Sequence, residues 1–279
     1  DDVEKNKEFL TSTDPWFRPA NFTVGPDGAL YIIDMYRQHV EAPTSVPEDL
    51  KKDMDYYNGN DKGRIYRIVP KNAGPNKSLF PDLKNASAEQ IVEQLSHSNP
   101  WWQLQAQRIL VERQDKSVVP ALRNLFTQHQ DPRVRLHALY ALEGLNSLDA
   151  KIVEQAMKDG HPGVRENGLM LSEKYPELIP QLIERTNDSS ARVALQATLS
   201  LGEFSSAQVV HALASVLEKH GQNPWFRIAV LSSEAGTSLS LLGLLFNRGV
   251  FFKDAKEEST LFVQDFSHII GARNREGEI

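Results

Sequence analysis

Cysteine is absent from all 279 residues. Disulfides, thiolate nucleophiles, cysteine-ligated zinc and covalent attachment of a c-type haem are therefore excluded within this chain. Excess positive charge is missing too: 31 Lys and Arg face 37 Asp and Glu, a formal net charge of -6. Sequence-independent nucleic-acid binding needs a basic field to neutralise phosphates, so the composition argues against that class. No apolar run approaches the ~20 residues that a membrane-spanning helix requires. The most apolar stretch, Leu239 to Phe246, ends at Asn247 and Arg248. The opening Asp1-Asp2-Val3-Glu4-Lys5 lacks the apolar core of a secretion signal. Gly59 and Gly63 do not form a phosphate-cradling loop, and no Ser-His-Asp arrangement points to a hydrolase. Glu48-Asp49 lie in a solvated charge run. No catalytic residue and no metal-ligand set is assigned.

What is present falls into two parts, and the expected division is residues 1–80 and 81–279. In the first part, Gly25-Pro26-Asp27-Gly28 is a turn: Pro26 presets φ, Asp27 tolerates the bridge region and Gly28 accepts positive φ. Phe22 and Val24 precede it, and Leu30, Tyr31, Ile32 and Ile33 follow, which predicts a hairpin whose second strand is apolar on both faces. Arg64 to Val69 reads as a third strand, with a short helix near Pro47 to Lys51 in the connecting loop. Three strands cannot bury such a strand by themselves, so this part needs neighbours.

The second part is repetitive. Asn99, Asp131, His161, Asp188 and Asn223 recur at spacings of 32, 30, 27 and 35, and all but Asp188 are followed by Pro. A capping residue with Pro at the first helical position predicts the start of a helix at each. Three residues on comes Trp102, Val134, Val164, Ala191 or Phe226; four on comes Gln103, Arg135, Arg165, Arg192 or Arg227. Antecedent helices fit between these, the first opened by the capping box Ser87-Ala88-Glu89-Gln90. Leu261 to Ile270 predicts a last amphipathic helix. The Asp131-Pro132-Arg133-Val134-Arg135 pattern resembles HEAT repeats. The predicted fold is mainly α: a HEAT-like α-α superhelix, or solenoid, of about five to six helix pairs with an N-terminal hairpin or three-strand remnant of a β-propeller blade.

Trp16-Phe17-Arg18-Pro19, Gly25 to Tyr31 and Lys62 to Ile68 resemble the closing part of a six-bladed propeller of the quinoprotein glucose/sorbosone dehydrogenase type. Joined to repeats carrying Trp101-Trp102 and Leu139 to Leu145, the chain resembles the exported membrane-bound dehydrogenases, or PVC-type haem-binding proteins, of planctomycetes, verrucomicrobia and some Bacteroidetes. The resemblance spans about residues 10–275 and implies a segment of a longer exported or periplasmic protein ordered as propeller, HEAT repeats, cytochrome c domain. It implies pyrroloquinoline quinone and haem c in that parent, but no cofactor on this segment, which lacks the earlier blades and the Cys-x-x-Cys-His motif. It implies one cofactor contact, Arg18, since arginines before this hairpin pair with the quinone's carboxylates; Trp16 stands where a second Arg can occur.

Other groupings carry both a functional and a plain reading. Asp34, Arg37, His39 and Glu41 sit together after the hairpin but match no metal spacing, so loop polarity is the simpler account. Arg135, Arg165, Arg192 and Arg227 either line a concave surface for an acidic partner or sulfated glycan or, more simply, each pair with an Asp or a helix C-terminus of an adjacent repeat. Trp101, Trp102, Trp225 and Phe226 suit a sugar or peptide platform, or packing. His129, His137, His161, His211 and His220 read as surface or capping residues. The expected function is a non-catalytic scaffold between a redox propeller and a cytochrome. The alternatives are a protein-binding solenoid without a redox role and a carbohydrate-binding module. The partner is a protein or neighbouring domains of the same polypeptide.

Overall fold

The computed structural model describes residues 7–40, 42–72, 81–253 and 257–276. It divides into two compact units, residues 1–109 and 110–279. The first unit begins with an antiparallel sheet in the order β1 (Pro19–Val24), β2 (Leu30–Asp34), β3 (Arg64–Ile68). Val24 pairs with Leu30 across the hairpin, and Leu30 pairs with Ile68 on the other side. Gly28 has φ +78°, the value the turn demands and glycine adopts without strain. Asp27 accepts from the Ala29 N–H at 3.1 Å, and its other oxygen pairs with Arg67. On β2, Ile32 is buried and Ile33 is exposed, so one of its two apolar faces is covered and the other open. A single helical turn, α1 (Glu48–Lys51), follows Pro47 as expected.

The first unit also contains α2 (Ala88–Gln94) and most of α3 (Pro100–Arg113). The capping box on α2 is formed, with Ser87 and Gln90 satisfying each other's N–H groups. Asn99 does two jobs. Its Oδ1 accepts from the Trp101 N–H at 2.9 Å, capping α3. Its Nδ2 donates to the Gly25 and Pro26 carbonyls at 2.9 and 3.1 Å, and the Trp102 indole N–H adds a 2.9 Å bond to Pro26. The hairpin turn is therefore clamped to the start of a helix 73 residues later in sequence. Asn99→Asp keeps the cap oxygen but removes the donor and sets a carboxylate against two carbonyls. We expect the hairpin to lose about 1–3 kcal/mol of local stability, read as lost amide-exchange protection across residues 25–33. Asn99→Ser, which also caps but cannot span the gap, should lose protection to a lesser degree; unchanged protection in both variants would remove the clamp.

In the second unit, first helices α4 (Val119–Gln128), α6 (Ala150–Met157), α8 (Ile179–Arg185), α10 (Ala207–His220) and α12 (Leu239–Arg248) alternate with second helices. The second helices are α5 (Pro132–Gly144), α7 (Pro162–Ser172), α9 (Ala191–Leu201), α11 (Pro224–Leu231) and α13 (Glu257–Arg273). Each of the pairs α4/α5, α6/α7, α8/α9 and α10/α11 packs on itself, and consecutive second helices from α5 to α13 pack on one another. First helices from α6 to α12 do the same. This two-layer stack is a HEAT-like solenoid. Its core is built from Leu139, Leu142, Leu169, Leu182, Leu201 and Leu213, all with no exposed surface. Each such side chain contributes about 1.5–3 kcal/mol. Seven residues after each cap the chain is small at Ala138, Gly168 and Ala197, all fully or nearly enclosed, so the layers approach closely.

One expected helix start is displaced. The cap of α9 is Ser190, not Asp188. Asp188 lies two residues earlier, where its Oδ1 accepts from the Ser190 N–H at 2.9 Å. The cap spacings become 32, 30, 29 and 33, more regular than the sequence suggested. Val193 then replaces Ala191 as the apolar third residue, and it is fully buried.

Candidate functional site

In the sheet region, Asp34 is 1% exposed and organises the loop after β2. Its Oδ1 accepts from the N–H groups of Arg18 at 2.8 Å and Tyr36 at 2.9 Å. Tyr36 has φ +49°, so this bond holds a non-glycine residue in the left-handed region. Arg64 lies 3.3 Å from Asp34 Oδ2, 3.2 Å from Asp14 and 3.9 Å above the Tyr36 ring. Arg18 spends its guanidinium on the carbonyls of Pro15, Phe17 and Gln38 at 2.5, 3.0 and 3.3 Å. A fork engaged with three main-chain oxygens does not fit a cofactor carboxylate, and no chemistry is derived through it. Arg37 bonds the Met35 and Tyr36 carbonyls, and His39 lies beside the Tyr56 ring. Glu41 falls outside the described residues. Among the described residues no three His, Asp or Glu side chains converge as a metal site.

The arginines of the second helices form a ladder with a fixed geometry. Two residues before each cap, a side chain accepts from the cap's own N–H: His97, His129, Asp159 and Asp188, at 2.7–3.1 Å. Four residues after the cap, a long donor reaches back to the carbonyl of that same residue. Gln103 does so at 2.8 Å, Arg135 at 2.8 Å, Arg165 at 3.0 Å and Arg227 at 2.7 Å. Arg135 also forks onto Asp159 at 2.8 and 2.7 Å, and Arg165 onto Asp188 at 2.9 and 2.7 Å, each in the next repeat. Both arginines are thus consumed between repeats. Burial raises the Asp188 carboxyl, but the Arg165 fork and the Ser190 N–H outweigh it and hold it below the ordinary value.

Arg192 is not a member of the ladder. It lies two residues after the Ser190 cap, is 80% exposed and pairs with Glu166 at 2.8 Å. The ladder position in α9 is Ala194, and the matching acceptor position before α11 is Gly221, so both halves of that rung are missing. Arg227 occupies its rung and is 9% exposed. Its Nη1 bonds the carbonyls of Gly221 and Gln222, and its Nε is buried without a hydrogen-bond partner among the described residues.

The aromatic candidates separate by burial. Trp102 and Phe226 lie in the core, Trp101 packs edge-on against Trp102 at 4.7 Å, and Trp225 is 65% exposed. His161 caps α7 through Nδ1. His220 is stacked on Phe226 at 4.5 Å with its Nε2 buried. Desolvation, then Lys219, lower its pKa, which favours the neutral ring.

Two features of the second unit were not anticipated. Second helices present exposed apolar residues: Met170 and Leu199 each lie nine residues after their caps, and Ile228 lies one turn nearer the start of α11, five residues after Asn223. Ile228 also lines an open cavity of about 370 Å³ with Leu231, Ser232, Asp265, His268 and Ile269. A larger cavity of about 810 Å³ lies among α10, α12 and the end of α13. Its one sequence signal was Gly243, a glycine in the middle of the apolar stretch Leu239 to Phe246.

A family model described as HEAT repeats matches residues 88–171. A second, described as a domain of unknown function (DUF7133), matches residues 1–72. No curated protein matches the chain. Among solved structures, the chain is similar to a designed armadillo repeat protein, YIII(Dq.V1)4CPAF, solved in complex with the peptide (KR)4. The two are 14% identical, and the match covers 66% of this chain and 99% of that one with a TM-score of 0.38, short of a shared fold. HEAT-like repeats are the level at which sequence, geometry and comparison agree.

Proposed function

We propose that the helical unit is a protein-binding scaffold whose second helices present a row of apolar side chains to a partner. The supporting observation is the contrast along those helices. Arg135 and Arg165 are tied up between repeats, whereas Met170, Leu199 and Ile228 face solvent. Large exposed apolar residues repeated on consecutive second helices mark an interaction surface more often than isolated ones do. In the finer reading, the partner is another domain of the same exported or periplasmic polypeptide. The unit then spaces a propeller redox domain from a c-type cytochrome; the resemblance of residues 16–19, 25–31 and 62–68 supports this. A photo-crosslinking amino acid placed in turn at Met170, Leu199 and Ile228, in the cells that make the protein, tests the scaffold. The same partner or segment should be captured from all three positions. Exposed positions on first helices, such as Asn124 and Gln155, should not capture it. Equal capture from both sets, or none from either, would sink the reading.

A further inference from the structure

We propose that the cavity among α10, α12 and the end of α13 binds a short acidic peptide segment of a partner. This rests on the scaffold reading and names the partner's chemistry at one site. The volume, about 810 Å³, lies in the range of ligand pockets. One wall is a single face of α12: Ser240, Gly243, Leu244 and Asn247. The opposite wall carries Val210 and His211 of α10. Arg273, Arg275 and Glu234 close the end. Among the described lining residues two arginines face one carboxylate, in a chain whose net charge is -6.

The charged groups are held but exchangeable. Arg273 is oriented by the buried Thr237, donating to its hydroxyl and its carbonyl at 3.1 Å each. Arg275 pairs with Glu234 at 2.6 Å, with both side chains more than half exposed. A pair so solvated contributes about 0–1 kcal/mol, so a ligand carboxylate can take the place of Glu234. Arg248 Nη2 sits 3.0 Å from His211 Nδ1 and fixes the ring at the cavity wall. Ser240 and Asn247, both exposed, supply groups for a peptide main chain.

Gly243 is the independent observation. A glycine inside a helix costs about 1 kcal/mol relative to Ala. At Gly168 the neighbouring helix explains it, because an added Cβ would strike main-chain atoms. At Gly243 an added Cβ would meet nothing within 4 Å, so no contact inside the protein calls for glycine. With no side chain at Gly243, the cavity is wider along that wall.

The test is fluorescence anisotropy on the full chain, using fluorescein-labelled Glu-Leu-Asp-Ala-Glu and its neutral counterpart Gln-Leu-Asn-Ala-Gln. The acidic peptide should bind saturably, weaken with added salt and outcompete the neutral one by about tenfold. Gly243→Leu should abolish binding without lowering the melting temperature, and Arg275→Glu should weaken it by about tenfold. No saturable binding of the acidic peptide, or equal binding in Gly243→Leu, would overturn the proposal. Crosslinks from Met170, Leu199 and Ile228 that persist while the peptide fails to bind overturn this site alone. Peptide binding without those crosslinks overturns the apolar row alone.

Discussion

Replacing Arg165 by Met destabilises the second unit by about 3 kcal/mol, a loss of roughly 6–12 °C in melting temperature. Asp188 is the reason: its side chain is 3% exposed and takes both arms of the Arg165 fork. Without the fork, a buried carboxylate retains the Ser190 N–H and a 3.4 Å contact from Arg185. The Asp159 and Gly160 carbonyls lose their donor at the same time. Removing one member of a buried pair costs more than removing both, because the desolvated charge remains. The double variant Arg165→Met, Asp188→Asn should therefore recover most of the loss, since Asn still accepts from Ser190. Acid supplies a second readout. In the wild type the Asp188 carboxyl is held below its ordinary value, so its contribution is present above that value and is lost as pH falls through the folded one. In Arg165→Met, protonation relieves the buried charge, so the gap to wild type should narrow as pH falls below about 4. A loss under 1 kcal/mol, or a double variant no better than the single, would show that the rung does not bear on stability.

Gly168→Leu should cost about 3 kcal/mol or prevent the α6/α7 pair from closing. A Cβ at Gly168 would lie 2.7 Å from the Met157 nitrogen, 2.8 Å from the Ala156 carbonyl carbon and 2.9 Å from its Cβ. Two of these are main-chain atoms of α6, which cannot rotate aside as a side chain can; the helix itself has to retreat. Gly168→Ala sets about 1 kcal/mol of helix propensity against that clash and should still destabilise. Gly243→Ala is the matched control, because its Cβ enters open space and should stabilise by about 1 kcal/mol. Chemical denaturation of the three variants decides the matter: if Gly168→Ala matches Gly243→Ala, close helix approach is not what Gly168 provides.

The hairpin, the capping box and most helix starts were legible in the sequence because their causes are local. A Pro-Asp-Gly turn and an Asn-Pro or Asp-Pro cap act within four residues. The slip at α9 shows where local reading fails. Asp188 has the chemistry of a cap, and the column of arginines made the 27-residue spacing attractive. Only the geometry shows that an aspartate two residues earlier serves the Arg165 of the preceding repeat, while Arg192, largely exposed, pairs with Glu166. The Asn99 clamp could not be read at all, since its partners lie at Gly25 and Pro26. The large cavity left only Gly243 as a trace, because its walls come from three separated stretches of chain.

The absent rung between α9 and α11 gives the stack an uneven compliance. From α5 to α9, each junction is crossed by a bidentate ion pair that resists sliding as well as separation. At the next junction the corresponding positions are Ala194 and Gly221, which can form no ion pair, and the exposed Lys219–Asn187 hydrogen bond is a single polar bond in place of a fork. Lacking that rivet, this joint is expected to yield before the two behind it when the second unit is bent.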